Sequence, residues 1–256
     1  MTTNVTIIGF GTMGKAIAKT LSLGRPGTGK AKYSSIKIFT IDVNKKDTRG
    51  IKKSNFIILS VKPQDAPEVL KELKQYGLNK KTILISIMAG FPIRKLLNLS
   101  GHKKIIRMMP NLGLSVGAGI AAWKKVGISK LETKKAKKFI NKITENFEVK
   151  NEDTINKVTA ISGSGPAYFF LLADYLKKAS ENLRLTKDES KKLVEKTFLA
   201  SAMLAKNSDY STLIKRIASK KGTTEAALKI FKNKNFDKIV SSAVFAAYKR
   251  AKELSK

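Results

Sequence analysis

The sequence contains no cysteine. Disulfides, a thiol nucleophile and thiolate metal sites are therefore excluded. It has one histidine, His102, which sets aside both a histidine-rich metal centre and a Ser-His-Asp triad. His102 lies in Ser100-Gly101-His102-Lys103-Lys104 and reads as a solvated loop residue. No metal is expected. No apolar run approaches the ~20 residues that span a bilayer, and no basic leader precedes the first apolar run. The expectation is a cytoplasmic protein with no membrane partner. Acidic residues are also scarce: 19 Asp and Glu stand against 51 Lys and Arg, a net charge of +32. Such a field attracts anions. Yet only seven of the basic residues are Arg, and the lysines are scattered along nearly every segment. Clustered charge, Arg readout and aromatic platforms mark nucleic-acid sites. A solvated lysine-rich surface is expected instead, without a dedicated nucleic-acid partner.

What is present begins at Val5. An apolar, β-branched run, Val5-Thr6-Ile7-Ile8, leads into Gly9-Phe10-Gly11-Thr12-Met13-Gly14. Beyond it, Met13, Ala16, Ile17, Thr20 and Leu21 share one helix face. Strand, glycine turn and helix form the setting that a dinucleotide fingerprint requires. Gly9 permits the turn, Gly11 lets a pyrophosphate approach, and Gly14 allows helix and strand to pack closely. The helix N-terminus offers N–H groups and a positive dipole end to phosphates.

Further along, Gly24 to Ala31 is a near miss to a phosphate-binding loop. It lacks the Ser or Thr that pattern needs and follows a helix, so it reads as a turn-rich connection. A second strand, Ser35 to Ile41, ends at Asp42. Asp42 in that position suits the adenine ribose of NAD, whereas Lys45, Lys46 and Arg49 suit the 2′-phosphate of NADP. Both options stay open. Strands are expected at Asn55–Val61, Thr82–Ile87, Lys104–Met109, Gly119–Trp123 and Phe147–Lys150, with helices between them. After about residue 150 strand signals fade. A helix started by Pro166 is apolar nearly all round and is expected to be buried, with the interface between subunits as one place for it. Capping boxes open helices at Ser129–Glu132 and Thr186–Glu189. The fold class is α/β: an N-terminal Rossmann-like dinucleotide-binding domain, residues 1–150, followed by an all-helical domain, residues 151–256.

Several segments occur in order: the glycine fingerprint, Leu59-Ser60-Val61-Lys62-Pro63-Gln64, Ser86-Ile87-Met88-Ala89-Gly90, Arg107-Met108-Met109-Pro110-Asn111 and Val116-Gly117-Ala118-Gly119. Then come Ser162-Gly163-Ser164-Gly165-Pro166-Ala167-Tyr168 and Gly222-Thr223-Thr224-Glu225-Ala226-Ala227. From Val5 to about Phe236 the chain resembles the pyrroline-5-carboxylate reductases. That resemblance implies reduction of 1-pyrroline-5-carboxylate to L-proline with NADPH or NADH, the last step of proline synthesis. It implies that Thr224 contacts the imine nitrogen, while Ser219, Gly222 and Thr223 hold the substrate carboxylate. It further implies cofactor contacts from Gly9, Phe10, Gly11, Thr12, Met13, Gly14, Val61, Lys62, Pro63, Ala89 and Asn111. The helical domain becomes a dimerisation and substrate-binding domain, in a homodimer or a ring of dimers. From the residues alone, Thr223 or Thr224 could simply cap a helix, and Lys62 could be a solvated lysine.

The sequence departs from the family in three places. Lys220-Lys221 replace a usual Pro-Gly, and Leu112-Gly113 follow Asn111 in place of Thr-Pro. The segment Val43–Ser54 is too short and too polar for the usual crossover helix, with only Val43 and Ile51 as anchors. A weaker hold on the adenosine end of the cofactor is expected. The alternatives are a catalytically impaired or polyanion-binding relative, and a reductase of another cyclic imine.

Overall fold

The computed structural model describes residues 2–26, 35–42, 45–46 and 48–255. Most of the Gly24–Ala31 connection, and Val43, lie outside them. By its internal packing the chain divides into two units, residues 1–164 with 247–256, and residues 165–246.

The first unit is built on one sheet. Strand β1 (Thr3–Ile8) leads through the glycine turn into helix α1 (Thr12–Leu23), and β2 (Ile36–Asp42) follows. The two-residue β3 (Lys45–Lys46) folds back antiparallel on β2, pairing Asp42 with Lys45. A 3-10 turn (Thr48–Lys53) then leads to β4 (Phe56–Leu59), α2 (Ala66–Tyr76) and β5 (Ile83–Ser86). Next come α3 (Ile93–Ser100), β6 (Ile105–Pro110), β7 (Ile120–Val126), α4 (Lys130–Ile140) and β8 (Glu145–Glu148). The sheet order is β3-β2-β1-β4-β5-β6-β7-β8. Strands β2, β1, β4, β5 and β6 are parallel, and β7 reverses against β6.

Parallel strands covered on both faces read as continuous apolar runs, and strand period two sends alternate residues to opposite layers. Phe56 and Ile58 enter the core that includes Ile17, Leu21 and Phe139. Ile57 and Leu59 enter the opposite core, with Leu70, Leu73 and Leu96. Phe56 and Phe139 stack at 4.1 Å. Ile51, only 2% exposed, joins the second core. One 3-10 turn thus stands where a crossover helix was wanting. Gly50 is buried against Phe39 and Thr6. Ser54 Oγ donates to the Gly50 carbonyl at 2.9 Å and lies 2.7 Å from Thr6 Oγ1.

His102 is half-buried, not solvated, and its Nε2 donates to the Thr82 carbonyl at 2.8 Å. That bond holds it at the start of β5, the edge of the sheet opposite the glycine turn. The last strand lies two residues earlier than the Phe147–Lys150 pattern indicated. Helix α5 (Asp153–Val158) runs into a π turn (Thr159–Gly163), neither of which the sequence announced.

The second unit contains α6 (Gly165–Asn182), α7 (Lys187–Leu204), α8 (Tyr210–Ile217), α9 (Thr223–Asn233) and the first turns of α10 (Phe236–Leu254). Both capping boxes form, Ser129 with Glu132 and Thr186 with Glu189. Helix α6 is not buried within the single chain: Phe169 and Phe170 are 59% exposed and Tyr175 58%. An apolar groove of about 650 Å³ runs among α6, α7 and α8, lined by Phe169, Leu172, Leu176, Val194, Phe198 and Leu213 among others. Apolar burial drives helix packing, and a single copy of this unit leaves that drive unspent.

Candidate active site

The chain climbs β1, crosses to β2 on one side and returns to β4 on the other. The loops after β1 and β4 therefore diverge, which opens a crevice at the carboxyl edge of the sheet, the usual ligand site of such folds. At this edge Gly9 N–H donates to the Ile41 carbonyl at 2.9 Å, and Ser60 N–H to the Ile8 carbonyl at 2.7 Å.

The three fingerprint glycines have different reasons for being glycine. Gly9 has φ +90, and a Cβ there would lie 2.6 Å from the Ser60 carbonyl carbon and oxygen. A Cβ on Gly14 would overlap the Gly9 carbonyl oxygen. Both are required by the fold itself. Gly11 is the N-cap of α1 with an ordinary φ of −71, and a Cβ there would meet nothing within 4 Å. The fold does not need a glycine at that position, but a ligand approaching the backbone does. No side chain caps α1, and its first turn carries no acidic residue. This uncovered, positive helix end fits the pyrophosphate of a dinucleotide.

The other candidate cofactor residues gather along the same edge. Phe10 and Met13 are half-buried against the core, while Thr12 is exposed. Val61 and Pro63 are half-buried after β4, and Lys62 is exposed. Ala89, after β5, packs against the small cluster of Met109, Ala122, Val149 and Ile155. Asn111 ends β6. Its Nδ2 donates to Ser162 Oγ at 3.1 Å, and its Oδ1 accepts from the Ile120 N–H. The π turn is thereby tied to the strand end. Ser60 and Ser162 escaped the sequence reading because their roles lie in three-dimensional neighbours rather than in a local pattern.

Ser219, Gly222, Thr223 and Thr224 come together in the helical unit, at the N-terminus of α9. Gly222, not a threonine, is the N-cap, and no side chain caps the helix. Thr223 and Thr224 are its first two residues. Neither hydroxyl has a hydrogen-bond partner among the described residues, so helix capping does not use them. Gly222 N–H donates to the Ser219 carbonyl at 3.0 Å, closing the turn. Lys221 sits at φ +59, a left-handed conformation that favours glycine. Its N–H donates to Glu225 at 2.7 Å, which steadies the turn. Among the described residues no group of three metal-ligating side chains is found, and no helix is long and apolar enough to cross a membrane.

Residues 152–254 match the family model for pyrroline-5-carboxylate reductase dimerisation. Residues 4–90 match that for coenzyme F420-dependent NADP oxidoreductases. The pyrroline-5-carboxylate reductase of Pseudomonas aeruginosa is 33% identical over 85% of this chain and 81% of its own length. The chain belongs to the pyrroline-5-carboxylate reductase family. The Synechocystis reductase is 32% identical over the whole of both chains. Among solved structures, the Coxiella burnetii reductase is 31% identical over 100% of both chains, with a TM-score of 0.84. The Plasmodium falciparum pyrroline carboxylate reductase, solved with NADP bound, is 28% identical over 99% of this chain and 98% of its own, with a TM-score of 0.85. These family members share both halves of the architecture.

Proposed function

We propose that the protein reduces 1-pyrroline-5-carboxylate to L-proline, with NADPH or NADH, as a cytoplasmic homodimer. When bound, the nicotinamide supplies the hydride to the imine carbon. The chain supplies position and charge. Gly9, Phe10, Gly11, Thr12, Met13 and Gly14 hold the pyrophosphate on the end of α1. Val61, Lys62, Pro63, Ala89 and Asn111 line the rest of the cofactor along the carboxyl edge. At the N-terminus of α9, the Ser219 hydroxyl and the N–H groups of Thr223 and Thr224 bind the substrate carboxylate, with Gly222 letting it approach the backbone. The Thr224 hydroxyl donates to the imine nitrogen, where positive character is lost as the hydride arrives. No strong base is needed, so the lack of a second histidine or any cysteine is no handicap.

The observation that carries this reading is the open end of α9. Its N-cap is glycine, and the two threonine hydroxyls beside it have no hydrogen-bond partner among the described residues. A helix end left uncapped is an anion site, and full-length similarity to reductases that act on an anionic imine agrees with it. The exposed apolar side of α6 and α7 supports a second copy as its cover; a ring of such dimers is the larger assembly proposed. The test is oxidation of NADPH or NADH by purified protein, followed by the loss of dihydronicotinamide absorbance with and without the imine. Oxidation should require the imine, and its absence with both cofactors would reject the reading. Thr224→Ala should lower kcat by about 10²-fold while cofactor affinity is kept.

A further inference from the structure

The loop from Ile87 to Pro92 follows β5 and carries Ala89, so the reading above sets it against the cofactor. Its shape is fixed from several directions. Met88 N–H donates to Ser86 Oγ at 3.3 Å. Gly90 has φ +67, and a Cβ there would overlap the Cβ of Leu254 and lie 3.1 Å from the Leu254 carbonyl carbon. The last turn of α10 is therefore seated directly on this loop. At the loop's far end, Ile93 N–H donates to Glu152 Oε1 at 2.8 Å.

Glu152, half-buried, is part of a polar network around two buried residues, Arg107 and Asn156. Arg107, 1% exposed in β6, donates to Glu152 at 2.8 Å and to Asn156 Oδ1 at 3.0 Å. The same Asn156 oxygen accepts from Ser255 Oγ at 3.2 Å. Asp153, on the same helix α5, accepts from the Tyr248 hydroxyl at 2.8 Å. Burial would raise the Asp153 pKa, but the hydrogen bonds from Tyr248 and Asn156, with the charges of Lys157 and Lys252, bring it below its ordinary value. Tyr248 and Ser255 thus moor the end of α10 to α5, while Leu254 between them rests on Gly90. A buried Arg with one carboxylate is costly to disturb, so the mooring point is stiff.

We propose that Tyr248, Leu254 and Ser255 are positioning residues for the reaction: the end of α10 holds the Ala89–Gly90 backbone in the conformation that places the nicotinamide for hydride transfer. The proposal rests on the reductase reading for its catalytic consequence, though not for the mooring itself. Hydride transfer depends on near-attack placement, and small displacements cost rate more than affinity. The phosphate end, held by Gly9–Gly14, should be unaffected.

The test uses the full chain with Tyr248→Phe and Ser255→Ala together, which removes both hydroxyl anchors and keeps the packing. Hydrogen exchange of the Met88 and Ile93 amides, hydrogen-bonded at the two ends of the loop, should quicken by about fivefold or more, with those of Gly9 and Lys15 unchanged. With NADPH and the imine, kcat should fall about tenfold and KM for NADPH stay within about twofold. The isotope effect from cofactor deuterated at the transferred position should rise. Unchanged exchange at Met88 and Ile93 overturns the proposal. So does a lower melting temperature with parental kcat and isotope effect, because a merely structural role gives that result. If the unaltered protein reduces no imine, the reductase reading fails, and the exchange measurement still decides whether the helix end holds the loop.

Discussion

The two units solve the same problem differently. The α/β unit buries its own apolar side chains: Val5, Ile7, Ile57, Ile58, Leu84 and Trp123 are all fully buried. The helical unit, with comparably apolar helices, leaves Phe169, Phe170, Leu172, Tyr175 and Leu176 between 40% and 59% exposed. One unit is closed by the chain that encodes it, and the other needs a surface from outside. Apolar patterning alone does not distinguish them. Where the partner face comes from does.

The hardest blow to this contrast is a charge in the exposed helix face. Phe169→Asp with Leu172→Asp should abolish the dimer, seen by sedimentation, at a cost of about 3–5 kcal/mol per buried unpaired charge. The α/β unit should keep its near-ultraviolet signal from Trp123. If the dimer survives, the proposed interface is wrong. A finer cut separates two glycines of the α/β unit. Gly9→Ala should destabilise the fold by about 3 kcal/mol, from strain and overlap together. Gly11→Ala should cost under about 1 kcal/mol, as the N-cap of α1 prefers glycine to alanine, and weaken NADPH binding about tenfold, measured by titration calorimetry. Equal effects on stability would mean that Gly11 serves the fold and not a ligand.

Smaller effects sharpen the picture. Lys221→Gly should stabilise the helical unit by about 0.5–1 kcal/mol, because relief at φ +59 exceeds the added freedom of the unfolded chain. Denaturant midpoints would register it. Smallest is the Lys104–Glu132 pair. Hydrogen bonds from Lys104 and Ser129 lower the Glu132 pKa to about 2. A depressed carboxylate pKa adds stability above its unfolded value of about 4.3, and that stability is lost as pH falls through the folded value. The stability difference between parent and Glu132→Gln should be constant above about pH 5, fall as pH drops through about 2 and vanish only near about pH 1. Both groups are partly exposed, so the difference should be small.

Much of the α/β unit was legible because its signals are local. The fingerprint, the apolar strand runs and the two capping boxes are written within a few residues of each other. The features that escaped depend on distant partners. Strand β3 has two residues and exists only through pairing with β2. Ile51 looked like a poor anchor by itself, yet with buried Gly50 and the Ser54–Thr6 contact it suffices to cover the sheet. His102 sat among lysines and glycine, and only the approach of the Thr82 carbonyl draws it inward. At the candidate site, the threonine pair was visible but its freedom from capping was not, since that follows from Gly222 taking the N-cap position. The strained Lys221 was foreseeable, because a lysine stands where the family has glycine.

The return of α10 to the α/β unit has a consequence for how the protein is made. The ribosome delivers the chain at about 5–20 residues per second, so the whole sheet emerges several seconds before residues 247–255. During that interval the Asn156 and Asp153 acceptors wait without Ser255 and Tyr248, and Gly90 without Leu254. The nascent α/β unit is therefore a sheet with its last fastening missing. Until those residues arrive, the loop that carries Ala89 lacks the contacts that fix its shape.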